Sequence, residues 1–125
     1  MKIEVSNGEV VDRWAILVIK SAKLKSSAID DALRIITEDV EFIFMMREVS
    51  DELVDKLVNV NKALWLIEDR IREKEAKQEF DDEFIELARS VYKTNDVRSQ
   101  IKRQINEETK SVLIEEKKYI EYETK

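Results

Sequence analysis

The chemistry-bearing residues of this 125-residue chain gather where its apolar patterning fails. A long amphipathic stretch after residue 81 loses its hydrophobic stripe between Val91 and Ile101, where Thr94, Asn95 and Arg98 stand instead. In the stretch before it, Asn61 and Glu68 lie one heptad apart. If the two stretches pair antiparallel about a turn near residue 79, Asn95 falls opposite Leu64 and Arg98 opposite Asn61. Asn61, Trp65, Glu68, Tyr92, Asn95 and Arg98 then share one level, with Arg72 and Arg89 one turn nearer the tip. Two chemistries suit this set. A buried Asn or Arg–Glu pair inside an apolar seam gives up stability and specifies register or oligomeric state. Alternatively, arginine forks hold carboxylate or phosphate while Trp65 and Tyr92 offer stacking faces, making a pocket for an anionic or sugar-like small molecule. The polar layer is the commoner arrangement. The same eight residues are the candidate ligand-binding set.

Other reactive groups are few. Glu38 with Glu41, and Glu83 with Glu86, have the i, i+3 spacing that could converge on Mg²⁺, as in all-helical nucleotide pyrophosphohydrolases. Among 28 acidic residues such pairs arise by composition, and acids in a first turn favour the helix dipole. No metal site, cofactor or catalytic residue is therefore assigned. The chain has no histidine and no cysteine, which removes the commonest general base and metal ligand, thiolate chemistry and disulfides. Met45 and Met46 read as core or interface filler. A net charge of −6 disfavours nucleic acid, whose phosphates need Lys and Arg. Arg70, Arg72 and Lys74 are interleaved with Glu68, Asp69, Glu73 and Glu75 as a solvated face. The longest apolar run, Trp14 to Ile19, is too short to span a membrane, and its setting is not that of a signal peptide. The expected location is the cytoplasm.

The elements that must position these residues are helices. With no proline and a single glycine, Gly8, nothing interrupts long helical stretches. Ser6-Asn7-Gly8-Glu9 reads as a capping box opening a first helix from about Gly8 to Lys25. That helix has Asp12, Arg13, Lys20 and Lys23 on one side and a wide apolar remainder needing neighbours on two sides. Ser26 to Asp30 is a break and a new cap; the second helix carries Ile29, Leu33, Ile36, Val40 and Ile43 and ends in Phe42-Ile43-Phe44-Met45-Met46. Five consecutive large apolar residues cannot all face one core, which points to an interface. The third helix opens at Ser50-Asp51-Glu52-Leu53 and runs to about Lys77 on the heptad rhythm Leu53, Leu57, Val60, Leu64, Ile67, Ile71. Gln78 to Asp81 form the turn, and Asp81 or Asp82 caps a fourth helix bearing Phe84, Leu87, Ala88, Val91, Ile101 and Ile105. Lys2 to Ser6 alternate as a short strand would, and Tyr119 to Tyr122 fit either a last helical turn or an edge strand. The fold class is all-α: a single domain, residues 1–125, forming an antiparallel bundle built on a long helical hairpin.

The stretch from Asn61 to Arg72, the stretch from Glu83 to Arg98, Gly8-Glu9-Val10-Val11-Asp12 and Glu115-Glu116-Lys117-Lys118-Tyr119 together resemble a family of uncharacterised small bacterial and phage proteins. The resemblance covers nearly the whole chain and is strongest from Asn61 to Asn106; near Lys110 that family tends to carry a small residue or glycine. It implies no activity and no catalytic residues. The expectation is a non-enzymatic, self-associating helical module, a homodimer through the first helix and the Phe42–Met46 cluster. The alternative is a ligand-binding or enzymatic bundle acting on a nucleotide or sugar phosphate.

Overall fold

The computed structural model describes residues 1–47, 49–116 and 122, and within them the chain is an all-α bundle of four helices. They are α1 (Asn7–Lys23), α2 (Ser27–Met46), α3 (Asp51–Ala76) and α4 (Asp82–Glu108). Each begins at a short polar side chain that accepts an otherwise orphaned backbone N–H. Ser6 accepts from Glu9 N, Ser26 from Ile29 N, Ser50 from Leu53 N and Asp81 from Phe84 N. Only half of the expected capping box forms, because the Glu9 carboxylate turns to Arg13 and Lys102. Helix α1 stops at Lys23, and Leu24 at its C-cap is half exposed.

Two helices end in the same way. Past α3, Gln78 adopts φ 56° and Glu79 N donates back to Lys74 O at 3.0 Å. Past α4, Lys110 adopts φ 53° and Ser111 N donates to Asn106 O at 2.8 Å. Both are Schellman closures, whose left-handed residue is ordinarily glycine because a Cβ is penalised there. Lys74 seals the hairpin tip. Its buried ammonium lies 2.7 Å from Asp81 and 3.2 Å from both Glu79 and Glu83. The turn thus falls where the patterning places it.

Helices α3 and α4 pack along their length, and α1 lies against both near the end remote from the tip, with α2 on its other side. The core is Val11 of α1, Val40 and Ile43 of α2, Leu57 of α3 and Ile101 and Ile105 of α4. Towards the tip only two helices remain, so Val91, Ile67 and Ile71 are half-buried and Ala88 is exposed. The wide apolar face of α1 finds its neighbours within the chain, so it does not by itself demand a second subunit.

No strand occurs among the described residues. Residues 1–5 are irregular, and Ser6 is a helix cap rather than a strand end. Of the expected terminal strand, residues 119–121 lie outside the described residues. Two strands without a larger sheet are marginal in water, and the helices cap and close without them.

Gly8 sits where α1 crosses α4. A Cβ there would stand 2.5 Å from Lys102 O and 2.9 Å from Asn106 Oδ1. Gly8→Ala should therefore lower stability by about 1–3 kcal/mol, although alanine is the better helix former by about 1 kcal/mol. Lys110→Gly should do the reverse, raising it by about 1 kcal/mol through relief of the left-handed conformation. Urea denaturation of the two variants checks both signs.

Candidate functional site

The polar centre of the bundle is a carboxylate. Asp12, on α1 between Val11 and Ala15, is fully buried. An isolated buried carboxylate costs several kcal/mol, so donors must surround it. Asn61 Nδ2 of α3 donates to Oδ1 at 2.9 Å. Arg98 of α4 donates Nε to the same oxygen at 2.9 Å and Nη2 to Oδ2, a two-pronged grip. Lys102, one turn further along α4, stands 3.8 Å from Oδ2 and 2.6 Å from Glu9 of α1. Three helices are thus tied at one buried anion.

The hydrogen bond to Asp12 holds the Arg98 guanidinium firmly protonated against its own burial. Burial would raise the Glu9 pKa, but hydrogen bonds from Lys102 and Arg13 outweigh it and set Glu9 below the usual carboxylate range. The network continues to the end of α4. Gly8 N donates to Asn106 Oδ1 at 2.6 Å, Asn7 Nδ2 to Thr109 Oγ1 at 3.0 Å, and Asn7 N to Ser111 Oγ at 3.0 Å. Among the described residues, no buried side-chain nitrogen or oxygen lacks a hydrogen-bond partner. A site that is complete in itself offers a ligand little.

Of the eight residues proposed from the sequence, three come together. Asn61 and Arg98 share Asp12, and Asn95 Oδ1 accepts weakly from Arg98 Nη1 at 3.5 Å. Glu68 adds to the field on Arg98 but pairs at 3.8 Å with Arg72 on the exposed surface of α3. Arg89 pairs with Glu86 at 2.9 Å. Tyr92 is half exposed and meets Tyr122 edge to face with centroids 5.5 Å apart. The Trp65 ring lies under the Lys23 ammonium, 5.8 Å from its centroid, rather than over the polar level. Arg72, Arg89, Tyr92 and Trp65 thus take partners other than Arg98. The carboxylate pairs also go elsewhere: Glu83 binds Arg70 and Lys74, while Glu38 and Glu41 are exposed on α2. No three acidic side chains gather into a cation site among the described residues.

Asp12, Glu9, Lys102 and Asn106 were not among the candidates. The helical spacing groups Asp12 with Arg13, Lys20 and Lys23 on one side of α1, and the structure separates it from them by burying it completely. The signal was present: Arg98 and Lys102 stand i, i+4 on α4, and two cations on one buried stripe require an anion opposite. The acid that the sequence sets on this level is Glu68 of α3, but the anion that Arg98 grips is Asp12. It comes from α1 because α1 crosses the hairpin at this level.

Asp12→Ala should cost about 3 kcal/mol, since it strands a half-buried guanidinium and the Asn61 amide. The triple replacement Asp12→Leu, Asn61→Leu, Arg98→Met should recover most of that loss, and chemical denaturation measures both. Glu9, Asp81 and Glu83 all have folded pKa values below their ordinary ones, through the partners already named. Their stabilisation is complete above the unfolded carboxylate range and is lost as pH falls below about 4. Lys74 is raised by Asp81, so its share disappears only as pH climbs above about 10. With no histidine or cysteine side chain to titrate between, urea midpoints should stay nearly flat from about pH 6 to 8.

No curated protein and no solved structure matches the chain. No helix among the described residues is long and apolar enough to cross a membrane. Over residues 1–124 the sequence matches, and the chain therefore belongs to, the family of unknown function DUF6165.

Proposed function

We propose that this bacterial or phage protein is a non-enzymatic, self-associating helical module working as a homodimer in the cytoplasm. The carrying observation is α2. Its backbone approaches α1 alone; Val40 and Ile43 turn into the shared core, and another face of the helix is left bare. On the bare face Ile35, Phe42, Met45 and Met46 are 57–80% exposed. Exposed apolar clusters such as Phe42, Met45 and Met46 mark interaction sites. The chain exposes 9057 Å² for 14.8 kDa, where a compact monomer of that mass exposes about 7000 Å². A standard interface needs about 800 Å² from each partner, which this excess, shared with the irregular ends, can supply.

The five-residue run divides as a helix requires. Ile43 enters the core, and Phe44 packs edge-on against Trp14 with centroids 5.7 Å apart. Phe42, Met45 and Met46 remain outside. Phe44 is therefore a poor position at which to test association, because a charge there would strike the fold. The anionic-ligand alternative draws less support, since Asp12 already occupies the Arg98 fork.

Light scattering at micromolar concentration should give twice the chain mass, and Met45→Asp with Met46→Asp should return a folded monomer. A monomeric wild-type chain removes the proposal. A melting-temperature rise with a nucleotide or sugar phosphate, lost in Arg98→Met, would favour the alternative.

A further inference from the structure

The acids of this chain avoid two of its segments. Residues 13–29 and 56–67 carry six basic side chains and no acidic one, so all 28 acids and the other 16 bases lie elsewhere. The first segment runs from Arg13 through the end of α1 to the first residues of α2; the second is the middle of α3, and α1 packs on α3. Folding thus joins two acid-free segments that are distant in the chain. Arg13 and Lys56 are spent within their own helices, on Glu9 and Glu52. Lys20, Lys23, Lys25 and Lys62 make no ion pair among the described residues. Of the acids flanking the two segments, Asp12 is held by Arg98, Asp31 by Arg34 and Glu68 by Arg72.

Between the two helices lies an open groove of about 420 Å³. Val18, Ile19 and Ala22 of α1 and Leu66 of α3 line it, with one lysine from each helix, Lys23 and Lys62. Lys23 also stands 5.8 Å from the centroid of the Trp65 ring. Leu66 is 63% exposed, and Leu24, between Lys23 and Lys25, is 49% exposed. We propose that this face docks on an anionic lipid bilayer, lying on the surface rather than spanning it. The proposal uses none of the bare face of α2 and does not depend on the self-association proposed above.

The combination of residues selects the partner. Nucleic acid would answer the lysines but has nothing to place against Val18, Leu24 and Leu66. Protein interfaces favour arginine and are depleted in lysine, and here every base without an ion partner is a lysine. The arginines of the chain are used in fixed pairs, as Arg98 with Asp12 and Arg70 with Glu83. A lysine ammonium is a point charge on a flexible stem, suited to headgroups that offer no fixed geometry, while leucine side chains enter the acyl boundary. Each lysine brought to such a surface raises partitioning about fivefold, so four together supply a few-hundredfold. The acids elsewhere in the chain are repelled by the same surface, which turns the lysine face towards it.

Co-sedimentation with vesicles tests this. The wild-type chain should pellet with an equal mixture of phosphatidylglycerol and phosphatidylcholine, stay in solution with phosphatidylcholine alone, and be released as salt rises. Lys23→Gln with Lys62→Gln should lower the partition coefficient about 25-fold, and Leu66→Ser should lower it several-fold. These three positions are exposed, so helicity should not change. Lys77→Gln with Lys93→Gln removes the same charge outside the two segments and should change partitioning by less than about twofold. A chain that ignores the anionic vesicles overturns the proposal, as does equal loss in the two lysine pairs. Binding of poly-L-glutamate through Lys23 and Lys62 with no binding to vesicles would make an acidic protein the partner, and overturns it too.

Discussion

A carboxylate with no access to water governs this fold. Asp12 cannot be buried unless Asn61 and Arg98 reach it, and they lie on different helices, 37 positions apart in the chain. Satisfying that one group sets the height of α1 against the hairpin, the rotation of α3 and the rotation of α4. The core residues Val11, Leu57, Ile101 and Ile105 provide the greater part of the driving force, but apolar contacts alone tolerate sliding. The polar tie does not. Its extension through Glu9, Lys102 and Asn106 fixes the other end of α1, where Gly8 admits a backbone approach that no side chain would allow.

From that arrangement the rest follows in order of remoteness. Close to Asp12 three helices meet and the interior is fully buried. Towards the tip only α3 and α4 continue, held by half-buried apolar residues and a sealing cluster around Lys74. On the other side α2 brings its backbone close to α1 alone and keeps a bare apolar face. The molecule is therefore firm where its polar groups are satisfied and unfinished where its apolar ones are exposed. A closed polar centre beside an open apolar flank suits an assembling module better than a binding pocket.

The four helices and their caps were legible because each signal is local. Ser6, Ser26, Ser50 and Asp81 announce helix starts within four residues, and the heptad rhythm of α3 places the turn. The pairing of Asn61 with Arg98 was legible because a short turn leaves an antiparallel hairpin one register. Asp12 was not, since the crossing of α1 over that hairpin depends on contacts distant in sequence, and a lone Asp on an amphipathic helix ordinarily faces water. Trp65, Arg72, Arg89 and Tyr92 were misplaced for a related reason. Sharing a level along the bundle does not fix which way a side chain points, and these four point outwards or towards α1. The strand expected at Lys2 to Ser6 failed because alternation over five residues is too weak to outweigh a helix cap at Ser6.

The account stands on Asp12 and Arg98 acting as one buried unit, and a double-mutant cycle between Asp12→Asn and Arg98→Gln isolates that interaction from everything else the substitutions disturb. A coupling energy above about 1.5 kcal/mol is expected for a desolvated, doubly hydrogen-bonded pair. A value within the roughly 0–1 kcal/mol of exposed surface pairs would mean that Asp12 lies in water and that the bundle is aligned by something else.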